Sequence, residues 1–353
     1  MQTDRINNRD DGLVPREDAL DRLQVKAATL YTYVSRGWIR RVKQGRRSLY
    51  VAADVDALVT RRRARAGHTA AASSALRWGE PVLDSAVTRI TDGQIAHRGY
   101  PQDRLVDLRW ESVATLLWTG ALPPLPPTWT ARPIDLPPGR ALRRLRALFL
   151  ALDGPEPQDT LAWAGALLRS AVQVFGADSP GPVVPALARA LGAPQDAVQT
   201  ALIACADHGL TTSTFVARLT ASSGASLAAC VSAALACLSG GRHGGACDVL
   251  EGQAPAPPTS LPVGFGHRLH PSGDPRAAPL LQWATPAFRA WAHSGPVPPT
   301  VDTGLVGLCK GLDLPPGTAT GLFAMGRLVG LIAHVLEQRQ HDLILRPRAR
   351  YAP

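Results

Sequence analysis

The chain has 353 residues, long enough for two or three domains and a large buried core. Its composition is that of an ordinary globular protein, with 38 Lys and Arg against 28 Asp and Glu and a net charge of +10. The five cysteines, at 205, 230, 237, 247 and 309, form no CxxC pair and no spacing of a metal site or disulfide framework, which excludes a stapled secreted scaffold and points to a reducing, cytoplasmic setting. The opening stretch MQTDRINNRDDGL has no apolar core of a secretory leader.

In chain order, a short helical pattern runs from Val14 to Leu23, and a second helix is predicted from Ala27 to Arg36, stopped by Gly37. The break between them, Gln24-Val25-Lys26, suits a helix-turn-helix, whose second helix enters the major groove. WIRRVKQGRRSLYV then reads as two short strands around Gln44-Gly45, the form of a wing. The basic character of the whole chain is concentrated here: residues 1–67 hold 15 Lys and Arg against 8 Asp and Glu, and the remainder 23 against 20. A polyanion fits that imbalance as a partner.

TLYTYVSRGWI followed by GRRSLYVAADVDAL resembles the winged helix-turn-helix of MerR-type and excisionase-type proteins, over residues 1–66. The resemblance implies a double-stranded DNA partner. Leu30 and Val34 would face the core, leaving Thr29, Thr32, Tyr33 and Arg36 for bases or phosphates. Arg40, Arg41, Lys43, Arg46 and Arg47 would grip phosphates from the wing, which positions a module without reading sequence. The alternative is a basic, solvated face on a docking module. Arg61 to Arg65 closes a third helix, and residues 67–75 have the small, polar character of a linker.

From residue 76 the pattern changes. EPVLDSAVTRITDGQIAHRGY alternates and turns at Asp92-Gly93, the sign of a β-hairpin, and Trp110 to Thr119 follows as an amphipathic helix. After a proline-rich connector, helical periodicity covers Arg140 to Leu152, Asp159 to Phe175, Pro185 to Leu191, Asp196 to Cys205, Ser213 to Leu238 and Ala319 to Glu337. The uncharged run Ala221 to Leu238 is mostly Ala, Ser, Gly and Cys, which reads as a helix buried in protein rather than in lipid. No GxGxxG, Walker A, GxSxG or HExxH sequence is present.

The most informative stretch is Ser239 to Arg276, where His243 and His267 are both set in glycine and Asp274-Pro275-Arg276 follows. Glycine beside histidine marks backbone that passes close to something while an imidazole faces a ligand. GGRHGGA, then GFGHR and DPR, resembles the signature of the citrate synthase family. The hairpin with HRGY, the helix ending in GALP, ADHGLTTSTF, VPPTVDTGL, GRLVGLIAHVLEQ and the RPRARY tail agree with that family in order, across residues 76–353. The resemblance implies a mainly α fold, with all-helical large and small domains behind a short N-terminal β-hairpin and a shortened CoA-side subdomain over roughly 205–310.

That family condenses an acyl-CoA with an oxo-acid, usually oxaloacetate, and then hydrolyses the thioester. The expected reaction here uses acetyl-CoA or propionyl-CoA, with acyl-CoA as co-substrate, no other cofactor and no metal. By resemblance Asp302 is the base, His243 donates to the enolate oxygen with Ser213 orienting it, and His267 polarises the oxo-acid carbonyl. Arg276, Arg327 and His208 would hold the oxo-acid, Arg346 would come from the partner of a homodimer, and Gly264, Phe265, Gly266 and Arg268 fall on the CoA side. His270, His334, Cys247 and Glu337 read as structural.

Departures from the family cluster on the CoA side. Pro271 stands where a basic residue is usual, no lysine lies between Arg289 and Asp302, and the interval from His243 to His267 is short. Gly209, Thr211 and Thr300 replace a Glu and two Asn of the family pattern. These departures motivate a second expectation: a metabolite-sensing, DNA-binding transcriptional regulator built on a catalytically weak or inactive form of the fold.

Overall fold

The computed structural model describes residues 13–44, 47–52, 54–56, 58–59, 83–177, 180–253, 263–294, 297–341 and 343–346. The chain divides into two units, Met1–Leu83 and Asp84–Pro353. Among the described residues, helix accounts for 54% and strand for 9%.

The first unit contains β1 (Leu13–Pro15), α1 (Arg16–Leu23), α2 (Ala27–Ser35), β2 (Arg41–Gln44) and β3 (Arg47–Val51). The helix expected from Val14 starts at Arg16, because Val14 is extended and pairs with Tyr50 in an antiparallel sheet of order β1-β3-β2. Gln24, at φ 49°, reverses the chain between the helices; its N–H donates to the Asp21 carbonyl and the Val25 N–H to that of Leu20. Val14, Ala19, Leu23, Leu30, Ile39, Tyr50, Val55 and Leu58 form its core. Arg46, the helix end expected at Arg61 to Arg65 and the linker over 67–75 lie outside the described residues.

The second unit opens with the hairpin β4 (Thr88–Thr91) and β5 (Gln94–His97), turned by Asp92 and Gly93 at φ 50° and 76°. β6 (Tyr100–Pro101) adds a third strand. Helices follow: α3 (Gln102–Leu105), α4 (Trp110–Thr119), α5 (Ala141–Ala151), α6 (Thr160–Ala171) with a 3-10 extension Val172–Phe175, α7 (Val183–Leu191) and α8 (Gln195–Cys205). Then come α9 (Thr212–Ser222), α10 (Leu227–Leu238), α11 (Ala246–Gln253), α12 (Ala277–Leu281), α13 (Pro286–Ala292), α14 (Val301–Gly311) and α15 (Thr318–Gln338). The run read as one helix from Ser213 to Leu238 is two, since Gly224 ends the first at φ 83° and Ser226 caps the next by accepting the Ala229 N–H at 2.9 Å.

α15 is the axis of this unit. It is apolar on every side and long enough to cross a membrane, yet it is almost wholly buried beneath α4, α5, α6, α8, α9, α10, α11 and α14. Close approach depends on Gly330, where a Cβ would lie 2.4 Å from Asp207 Oδ1 and 2.5 Å from the Ala206 carbonyl. The end of α8 therefore presses onto α15 and carries His208 toward Arg327. The buried Arg218–Glu337 pair, at 3.0 Å, ties α9 to α15, and Glu337 also accepts the Ala86 N–H at 2.8 Å, which fixes the start of the hairpin segment.

Candidate active site

His243 lies in the tight turn between α10 and α11. A Cβ at Gly245 would sit 2.4 Å from the Ser239 carbonyl, so the turn closes only with glycine there. The ring is half-buried, and its Nε2 is 2.7 Å from Oγ of the fully buried Ser213 in the first turn of α9. Burial, and secondarily the Arg327 charge, push its pKa down to about 4, so the imidazole is neutral at pH 7. When Ser213 donates to Nε2, the ring proton sits on Nδ1, the nitrogen left for a ligand.

The segment carrying His267 is laced to the start of α14. The Gly264 carbonyl accepts from Thr300 N–H (2.8 Å), Thr300 Oγ (3.0 Å) and Thr303 Oγ1 (2.5 Å), while Gly266 N–H donates to the Pro298 carbonyl at 2.9 Å. Asp274 adds a further tie by accepting the Val301 N–H at 3.0 Å. Asp302 stands in the first turn of α14, where the helix dipole favours a carboxylate. Its Oδ2 accepts from Thr300 Oγ at 3.0 Å and its Oδ1 from Cys247 Sγ at 3.5 Å. Burial nevertheless raises its pKa above the ordinary carboxylate value, as suits a base.

His267 is half-buried, with Nδ1 accepting the Leu269 N–H at 3.2 Å. Burial, and then the Arg276 charge, lower its pKa to about 4, so the neutral ring carries its proton on Nε2. Rings of His208, His267 and His270 stand 4.9 to 5.1 Å apart, and the Nε2 atoms of His208 and His270 share a hydrogen bond at 2.9 Å. Burial, reinforced by Arg276, drives His208 far below the usual histidine range. Arg276 is locked by Asp274 through Nε–Oδ1 at 2.9 Å and Nη2–Oδ2 at 2.8 Å. Arg327, fully buried, donates Nε–H to the Cys205 carbonyl at 2.9 Å, and its guanidinium lies over Phe323.

One nitrogen from each of His208, His267 and His270 falls within 4.8 Å of the others, a spacing that could admit a metal ion. Their hydrogen bonding disfavours that use. The Leu269 N–H already occupies His267 Nδ1, the other two rings bond each other, and Arg276 and Arg327 contribute positive charge. The cluster is better suited to an anion with oxygen acceptors.

The structure thus brings Ser213 to His243, His208 beside His267, and Asp302 next to the segment holding His267 and Arg276. Arg346 is exposed and makes no contact with these groups among the described residues. Gly264 serves as the acceptor described above, and Gly266 and Arg268 are exposed. Phe265 is buried, stacked edge-on with Trp291 at 5.4 Å and bridged to Pro299. Two residues read as structural in the sequence, His270 and Cys247, touch candidate site residues. No helical spacing announces either, since His267 to His270 form a turn and Cys247 meets Asp302 only through the fold. His334 faces Asp207 at 3.4 Å in the interior.

In the first unit, Thr32, Arg36, Arg41, Lys43 and Arg47 are exposed and Thr29 is half-buried. Tyr33, half-buried, packs against the core and stacks on Trp38 at 5.5 Å, and the exposed Arg40 is paired with Asp54 through Nε–Oδ2 at 2.9 Å and Nη2–Oδ1 at 3.0 Å.

The family model for the C-terminal domain of citrate synthase matches residues 155–252 and 259–348. The chain belongs to the citrate synthase family. It is 30% identical over 187 residues to citrate synthase 2 of Bacillus subtilis, covering 44% of this chain and 50% of that one. It is 26% identical over 360 residues to a 2-methylcitrate synthase of Mycobacterium tuberculosis, covering 77% and 88%. The chain spans about half the length of the first curated relatives it matches. Among solved structures, the citrate synthase of Thermoplasma acidophilum, in ternary complex with carboxymethyl coenzyme A and oxaloacetate, aligns with a TM-score of 0.66 at 21% identity, over 78% of this chain and 94% of that one. The likeness establishes the citrate synthase fold of the second unit.

Proposed function

We propose that this protein condenses a short acyl-CoA, acetyl-CoA or propionyl-CoA, with oxaloacetate and hydrolyses the resulting thioester. The observation that carries this reading is a division of labour: His243, His267 and Asp302 each keep part of their surface, while Ser213, Cys247, Thr300, His208 and Asp274, which touch or flank them, are buried. Groups that react need access, and groups that aim them need rigidity.

The chemical difficulty is the weak acidity of the carbon beside the thioester. Asp302, its basicity raised by burial, removes that proton while the neutral His243 donates Nδ1–H to the forming enolate oxygen. The enolate carbon then attacks the oxo-acid carbonyl carbon, whose developing alkoxide meets the Nε2–H of His267. Arg276, Arg327 and His208 hold the dicarboxylate, and water cleaves the thioester to release CoA thiol. The protein acts in the cytoplasm as a homodimer, with Arg346 delivered to the partner's site and no cofactor beyond the acyl-CoA co-substrate. Thiol release with oxaloacetate tests the reading, with Asp302→Ala expected to lose at least about a hundredfold in rate. A folded, unaltered protein that releases no thiol from either acyl-CoA overturns it.

A second reading concerns the first unit. Arg36, Arg41, Lys43 and Arg47 are exposed, a pattern that fits double-stranded DNA and, with two modules per dimer, a palindromic site. Residues 1–66 would be the DNA module and 67–75 its linker, so that ligand at the second unit regulates binding. Salt-dependent affinity for duplex DNA that changes with oxaloacetate, citrate or CoA supports regulation; affinity indifferent to all three removes the sensor.

A further inference from the structure

Among the described residues Asp302 has two side-chain donors, and they are not equivalent. The Thr300 hydroxyl lies 3.0 Å from Asp302 Oδ2 and also 3.0 Å from the Gly264 carbonyl, and its single proton serves one acceptor at a time. The Cys247 thiol, fully buried, faces Asp302 Oδ1 at 3.5 Å and has no second acceptor among the described residues. Cys247 therefore supplies the one undivided side-chain hydrogen bond to this carboxylate.

We propose that Cys247 is a positioning residue for Asp302, its thiol donating to Oδ1 so that the carboxylate is held in one orientation with its other lone pairs open to substrate. The proposal rests on Asp302 being the base of the condensation. Burial and the neighbouring carboxylate push the Cys247 thiol well above its usual range, so it remains S–H and is no nucleophile. A thiol is a weaker donor than a hydroxyl. It orients the carboxylate while leaving more of its basicity than a serine in the same place. The turn just before α11 carries His243, so one short segment would set both the enolate donor and the base. The other charged or titratable groups facing Asp302 are Arg276 and Asp274 from the preceding loop, Arg327 from α15 and Cys205 from α8.

The S–H stretching band of the full-length protein tests the contact without turnover. The band removed by Cys247→Ala is expected below those of the other cysteines in frequency and should move up in Asp302→Ala. A Cys247 band indifferent to Asp302→Ala overturns the proposal. In turnover, Cys247→Ala should raise the acid limb of the kcat/KM profile by about half a pH unit and lower kcat about tenfold with KM little changed, and Cys247→Ser should restore kcat. An unmoved limb and unchanged kcat in Cys247→Ala, with turnover intact, also overturn it. Absence of thiol release from the unaltered protein defeats the condensation reading instead, and the infrared shift still decides whether the thiol holds the carboxylate.

Discussion

The chain contains two arginine–aspartate forks of nearly the same geometry in opposite surroundings. Arg40 and Asp54, at 2.9 and 3.0 Å, lie at the surface of the first unit, with side chains 72% and 20% exposed. Arg276 and Asp274, at 2.9 and 2.8 Å, are 3% and 0% exposed in the second. Water solvates the first pair whether or not it forms, so the fork shapes a surface and little else. The second pair has no such recourse, and losing one member strands a charge in protein. Contact distance alone does not rank interactions; access to water does.

Several measurements would break or sharpen that contrast. Asp274→Ala should destabilise the second unit by about 3–5 kcal/mol, read from denaturant unfolding, because it leaves the Arg276 guanidinium buried without its partner. Lowering the pH tests the buried imidazoles. His97, His243 and His267 are held at about 4 in the folded chain, chiefly by burial, against 6.5 when free. The unfolded chain then binds protons that the folded chain refuses, so stability should be complete above pH 6.5 and decline as pH falls toward 4. A melting temperature flat across that window would contradict the buried, neutral state of these rings. Ser213→Ala should lower kcat about tenfold while changing stability by about 1 kcal/mol or less, since it removes one hydrogen bond to His243. The smallest effect is expected for Asp54→Ala, which should leave the melting curve in place; a marked shift would mean that the exposed fork is structural after all.

Much of the second unit was legible because glycine, histidine and proline are informative when they recur in order. The glycines around His243 announce close backbone approach, and Gly245 supplies it against the Ser239 carbonyl. Long apolar periodicity gave α15, since twenty-one residues without a polar face have to be surrounded. The roles of Cys247 and His270 were not legible. A cysteine among small apolar residues looks like core filling, and only the fold brings it to a carboxylate fifty-five positions away. The packing of Phe265 was equally hidden, since its aromatic neighbour Trp291 comes from a helix that the sequence does not connect to it. In the first unit, the helical pattern around Tyr33 could not reveal that Trp38 stacks on it.

The hydrogen bonds gathered on the Gly264 carbonyl have a mechanical consequence. They join the stretch bearing His267 to the helix bearing Asp302, so a displacement of one carries the other with it. His243 is fastened to α9 through Ser213. Because α11 packs on α14 and Cys247 reaches Asp302 from it, the helix that follows His243 is fixed to that piece as well.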